Sequence, residues 1–137
     1  MSPNRPERAS LRIAGIPAPK GSRTVGTRKN GTHYTRESSA GVKSWVEAVA
    51  YSARANRPRG KALDPPYEIE LVFSMPRPVD PKYGWPTKDG DIDKLVRGVL
   101  DGMVQGGLLI DDRHVTALTA RKEFSGPAAA GVAVCVL

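Results

Sequence analysis

Apolar positions along this 137-residue chain follow two different periods. From Ile92 to about Gln105 they recur at three- and four-residue steps, as Ile92, Leu95, Val96, Val99, Leu100 and Met103. That spacing predicts an amphipathic helix, with Gly106 and Gly107 ending it. Val42, Trp45, Val46, Val49 and Ala53 predict a second helix over about residues 39–55, with Ser38 or Ser39 as its N-cap and Trp45 in the core. Elsewhere the period is two. Tyr67, Ile69, Leu71, Phe73 and Met75 alternate with Glu68, Glu70, Val72 and Ser74, the clearest strand in the chain, closed by Pro76 and Pro78. Its outward acids are read as a solvated face.

Weaker signals complete the set. Leu11 to Ile16 predicts a first strand, with Leu11 and Ile13 on one face and Pro17 and Pro19 stopping it. Asn30-Gly31, between polar residues, predicts a hairpin or loop over Lys20 to Arg36. Val115 to Phe124 reads as a strand, turned by Ser125-Gly126-Pro127. Gly131 to Leu137 is apolar on both faces, which predicts a central or interface-facing strand. Leu108, Leu109 and Ile110 form a short run expected to be buried. Residues 1–9 are polar and expected to be flexible, leaving 10–137 as one domain.

Charge changes this picture. The chain carries a formal net charge of +7, unevenly spread. Residues 1–63 hold 13 Lys+Arg and 3 Asp+Glu, a net of +10. Residues 64–137 hold 8 and 11, a net of −3. A basic half suggests a polyanionic partner. The lone Cys135 excludes an intrachain disulfide, fits a reducing compartment and is expected in the core. With His33 and His114 it makes no zinc-type ligand set, and His114 is read as solvent-facing or at a strand start. No apolar run is long enough to span a membrane, and the polar, proline-containing start shows no signal peptide.

The acidic half concentrates its charge. Asp91, Asp93, Asp101, Asp111 and Asp112 all fall between Lys88 and Val115. Carboxylates gathered in a small volume repel one another, so either they splay into water or a divalent cation holds them. On spacing alone, Asp91 can equally be an N-cap, Asp93 a first-turn acid and Asp111-Asp112 a polar turn. Gly90 would let Asp91 enter the helix extended and converge with Asp93. Asp93, Arg97 and Asp101 form an i, i+4, i+8 row opposite the apolar face. Lys20, Arg23, Arg28, Lys29 and Arg36 make a candidate phosphate-contacting arm, or a solvated loop. Arg54, Arg57, Arg59 and Lys61 are a second backbone contact or a linker. The loop from Pro78 to Gly90 holds Lys82, Tyr83, Trp85 and Lys88, where an aromatic could stack on an unpaired base or pack on the protein.

One resemblance draws these features together. Asp91-Ile92-Asp93, Arg97, Leu100-Asp101 and the Asp111-Asp112 pair resemble the signature of RusA-like Holliday junction resolvases, the crossover junction endodeoxyribonucleases of phages and prophages. Ile16-Pro17-Ala18-Pro19-Lys20-Gly21-Ser22-Arg23 and His33-Tyr34-Thr35 look like the family's flanking segments. The likeness runs from about residue 10 to the C-terminus. With the elements above it implies a small α+β domain, a mixed or antiparallel sheet of about four to five strands packed with two main helices, and a homodimer. It implies Asp91, Asp93 and Asp112 as metal ligands, with Asp101 and Asp111 as supporting or shared ones. The ion would be Mg²⁺, with Mn²⁺ as a substitute and no small-molecule cofactor. Lys20, Arg23, Arg28, Lys29, Arg36, Lys94 and Lys122 would contact a four-way junction, cut by paired symmetric nicks in recombination or repair in a bacterial cytoplasm. The C-terminal strand and part of the Asp-bearing helix would form the dimer interface. Two departures stand out. Arg97 replaces a lysine, and Lys94 stands where asparagine is common. Arginine keeps the positive charge but is never deprotonated, so it can neutralise phosphate and cannot shuttle a proton. A nuclease for other branched or flapped DNA and a non-catalytic basic DNA-binding protein are the alternatives.

Overall fold

The strongest alternation in the chain becomes a strand with neighbours on both sides. In this computed structural model, residues 1–5, 22, 28–32, 38–40 and 89 are not described, nor are the side chains of 22–40 and of Pro127. The described elements are β1 (Ala9–Ala14), β2 (Arg23–Thr27), β3 (His33–Glu37), α1 (Val42–Ala55), β4 (Tyr67–Pro76), α2 (Ile92–Gln105), β5 (Val115–Ser125) and β6 (Gly131–Val136). β1, β6, β4 and β5 form a mixed sheet in that order, and β2 and β3 form a separate antiparallel ribbon. The fold is thus a single small α+β domain with a four-stranded sheet and two main helices.

β4 buries every second residue, with Ile69, Leu71, Phe73 and Met75 facing the helices. Leu11 and Ile13 of β1 and Val132, Val134 and Val136 of β6 extend this face. α1 covers it with Trp45, Val46 and Val49, and α2 with Leu95, Val96, Val99 and Met103. Each such side chain contributes roughly 1.5–3 kcal/mol by leaving water. β4 and β5 pair in parallel, and a parallel pair needs a long crossover. α2 is that crossover. Its apolar stripe must therefore lie on the sheet, and its aspartate row must face outward.

β6, expected to be central or interface-facing, is central, paired on both edges, with its valines in the core. Other expectations are corrected. Cys135 is half-buried on the opposite sheet face. Burial there, with the carboxyls of Glu7 and Glu70, pushes its thiol up to about 11, so it stays protonated and unreactive. The chain is tied down earlier than residue 10. The Arg8 amide donates to Val136 O at 2.7 Å and its guanidinium to Leu137, Asp64 and Pro66 carbonyls. β1 ends at Ala14, and Ile16 beyond it is exposed. α1 begins after Gly41, which occupies the N-cap position, while Ser38 and Ser39 lie outside the described residues. The hairpin is present as β2–β3, but Asn30-Gly31 at its turn is likewise outside them. No described helix is long and apolar enough to cross a membrane.

Candidate active site

The start of α2 is built by its neighbours. Gly90 has φ 105, and a Cβ there would lie 2.8 Å from Pro19. Only glycine allows both that backbone and that contact. The Gly90 carbonyl accepts from Lys122 Nζ at 2.9 Å, which ties the end of β5 to the helix start. Asp91 then takes the N-cap position in extended conformation, φ −70 and ψ 138, and its carbonyl accepts the first helical bonds. Its carboxylate caps nothing. It turns outward and meets Lys94 Nζ at 3.2 Å. Asp93 follows, exposed in the first turn, where the helix dipole favours an acid.

The Pro-Lys segment lies across the outward face of this helix. The Lys20 amide donates to the Lys94 carbonyl at 3.0 Å. The segment comes close to Gly98, where an added Cβ would be in ordinary contact with the Ala18 carbonyl at 3.4 Å. Lys20 Nζ ion-pairs with Asp101, and the Arg97 guanidinium lies against Gly21. Two motifs separated by some seventy residues in the chain are one structural unit.

Asp111 and Asp112 return beside that unit. Leu108 and Leu109 are buried as expected, but Ile110 is 54% exposed, which corrects its assignment to the core. The turn is held by Tyr67 at the start of β4. Its hydroxyl donates to Leu63 O at 2.7 Å and accepts from the Ile110 amide at 3.0 Å. The Leu63 amide donates to Leu108 O at 2.9 Å. Asp111 accepts from the Arg113 amide at 2.9 Å, and this bond is the main reason its carboxyl titrates below the usual range. Asp112 shifts the other way. Although the residue is exposed as a whole, its carboxyl loses water to its surroundings, and Asp111 and Asp101 then add repulsion.

That upward shift makes a prediction about stability. The penalty for the Asp112 charge exists above its raised folded pKa and vanishes as pH falls through it. Asp112→Asn should therefore raise the melting temperature at neutral pH, and the gain should shrink towards about pH 3. Melting curves of both proteins over this range provide the check. A variant less stable at pH 7, or a gain that grows on acidification, would show that the Asp112 charge carries no such penalty.

The structure brings Asp101, Asp111 and Asp112 into one electrostatic group. It does not bring Asp91 and Asp93 into it. The helix is rigid, and eight residues separate Asp93 from Asp101, a rise of roughly 12 Å. Among the described residues no three Asp, Glu, His or Cys side chains close on a point that could hold a metal ion. The donors are of the right kind, since hard carboxylate oxygens suit Mg²⁺. Two of them are partly neutralised by lysines, Asp101 by Lys20 and Asp91 by Lys94.

The expected DNA contacts divide similarly. Lys20, Lys94 and Lys122 are engaged within the protein. Arg23 and Arg36 sit on β2 and β3, and Arg28 and Lys29 lie outside the described residues. His114 falls at the start of β5 and meets Tyr67 edge-on, with centroids 6.4 Å apart. Sequence reasoning missed the Tyr67 strut, because a strand-initial tyrosine carries no signal beyond its alternation. It also passed over Asp89, which lies in the acidic stretch and outside the described residues.

No curated protein matches the chain. A family model described as endodeoxyribonuclease RusA matches residues 14–136. The match spans the Pro-Lys segment, the aspartate-bearing helix and the Asp111-Asp112 turn, and with nearly the whole chain covered, this protein belongs to the RusA endodeoxyribonuclease family.

Proposed function

We propose that this chain is a Mg²⁺-dependent endonuclease that resolves four-way DNA junctions by paired, symmetric nicks, in phage or prophage DNA processing in a bacterial cytoplasm. Family membership supports DNA hydrolysis. The observation that carries the site is Asp91, an N-cap residue whose carboxylate caps nothing, two residues ahead of Asp93, an exposed acid of the first turn. A capping aspartate normally gives its carboxylate to the helix amides. One that does not is free for another cation.

In this reading Asp91, Asp93 and Asp112 would hold the metal ion, with Asp101 and Asp111 in support. Bound there, Mg²⁺ or Mn²⁺ would lower the pKa of an attacking water and neutralise charge on the phosphate. The remaining work falls to the chain itself. Arg97 offers a fork of donors to phosphate oxygens and a charge that never leaves. Lys20 and Lys94, now paired with Asp101 and Asp91, would turn to the DNA backbone once a divalent cation replaces them. Two nicks placed symmetrically call for two equivalent sites at fixed spacing, which a twofold dimer supplies. A monomeric mass at micromolar concentration would sink the paired-nick part.

Incubation with end-labelled four-way junction, fork and linear duplex, in Mg²⁺ and in EDTA, tests the whole reading. The expected result is junction cutting in Mg²⁺, none in EDTA and none of the duplex. Equal cutting of fork and junction would favour a general branched-DNA nuclease. No cutting of any substrate would overturn the proposal.

A further inference from the structure

The loop that leads into Asp91 carries an unusual surface. Val79 is fully exposed, Tyr83 53% and Trp85 62%. Three large apolar side chains within seven residues, left largely in water, are not a fold's use of them. A tryptophan packed on the protein would stabilise the loop, and this one is not packed. The same loop, with the end of β5, encloses a cleft of about 270 Å³ lined by Arg77, Lys82, Tyr83, Trp85, Lys88 and Phe124. Among the described residues that line it, Asp80 is the single acid. Lys82 Nζ lies 5.5 Å from the Tyr83 ring centroid and occupies one face of that ring. Trp85 is the more exposed of the two aromatics.

We infer that this cleft receives one unstacked nucleobase of branched DNA, with Trp85 as the stacking surface and the flanking Arg77, Lys82 and Lys88 holding its phosphates. Three features point to that occupant. An aromatic face stacks on any base, and the surrounding cations match its backbone charge. The volume lies below the roughly 300 Å³ at which small-molecule sites begin, so it admits a single ring system. The position is also limited: Trp85 and Asp91 are six residue steps apart in the chain, so their backbones are at most about 22 Å apart, and Lys122 and Pro19 anchor the Gly90 end. A strand lying at the aspartates would pass the cleft within a few nucleotides. Base pairs at the branch point of a four-way junction or fork lack the continuous stacking of linear duplex, so a base there is easier to turn out. The cleft would therefore favour branched over duplex DNA. This inference rests on the nuclease reading only in taking branched DNA as the ligand.

Binding in EDTA, with cutting excluded, separates the two proposals. The full chain, Trp85→Phe and Trp85→Ala are titrated against a four-way junction carrying 2-aminopurine at the branch point and against linear duplex. Trp85 is exposed, so the variants should fold, and circular dichroism checks this. The expected result is junction binding weakened roughly 5- to 150-fold by Trp85→Ala, largely restored by Trp85→Phe, with duplex binding unchanged. Wild-type protein should quench the 2-aminopurine signal and Trp85→Ala should not. Junction binding unaffected by Trp85→Ala overturns the inference, as does an equal loss on junction and duplex. Either result leaves the nuclease reading intact. Stacking that survives in a protein unable to cut in Mg²⁺ would sink the nuclease reading alone. Failure of the wild type to bind branched DNA would remove both.

Discussion

Asp93→Asn is expected to slow junction cutting by about 10²–10³-fold or more while junction binding stays unchanged or tightens. The size follows from removing a charged group whose interaction is realised only at the reacting phosphate. The direction of the binding change follows from Coulomb's law, since a carboxylate near a phosphate is repulsive until a cation lies between them. Asparagine has nearly the same shape, and Asp93 is exposed in the first turn of α2. The fold should therefore lose only the favourable interaction of one acid with the helix dipole, roughly 0.3–1 kcal/mol. A cutting defect worth about 3–4 kcal/mol of barrier is then too large to be a folding defect. Single-turnover cleavage and gel-shift binding, with a melting curve as control, decide the matter. Cutting at the wild-type rate would reduce Asp93 to a helix-start acid and remove the site assignment with it.

Tyr67→Phe is expected to cost about 1–3 kcal/mol of stability and to reduce cutting as well. The substitution keeps the ring, with Arg8 5.7 Å above its centroid and His114 at its edge, and removes only the hydroxyl. Leu63 O then loses a donor and the Ile110 amide loses its acceptor, on a side chain that is wholly buried. Out of a total stability of order 5–15 kcal/mol, that is a visible fall in melting temperature. The effect on cutting has a different route. Ile110 precedes Asp111 and Asp112, so loosening its amide releases the turn that carries them. Differential scanning calorimetry and cleavage kinetics on the same sample distinguish the two effects. An unchanged melting temperature would show that Tyr67 is not the strut, and a lowered one with full cutting would detach it from the site.

The pair of predictions separates two ways in which a residue can matter. Asp93 was singled out from the chain by the resemblance, since on spacing alone it reads equally as a first-turn acid. Tyr67 was not, because its role depends on a segment some forty residues away. Lys20 lies between the two. Its motif was readable, but its pairing with Asp101 needed the Pro17 to Gly21 segment to be seen lying across α2. Sequence reasoning also placed Ile110 in the core with Leu108 and Leu109, and the tertiary turn left it outside. Three consecutive apolar residues at a helix exit cannot all point the same way.

Local periodicity by itself determined the two helices, the alternating central strand and the outward position of the Asp93, Arg97 and Asp101 row, because side-chain direction within a helix or strand is set by its own geometry. It also determined that a basic half and an acidic stretch coexist in one chain. Tertiary structure alone decided that α2 is the crossover between parallel strands, that β6 lies between β1 and β4, and that Asp101, Asp111 and Asp112 share a field. Pairing partners and distances between segments depend on how separate elements pack, and no period along the chain encodes them.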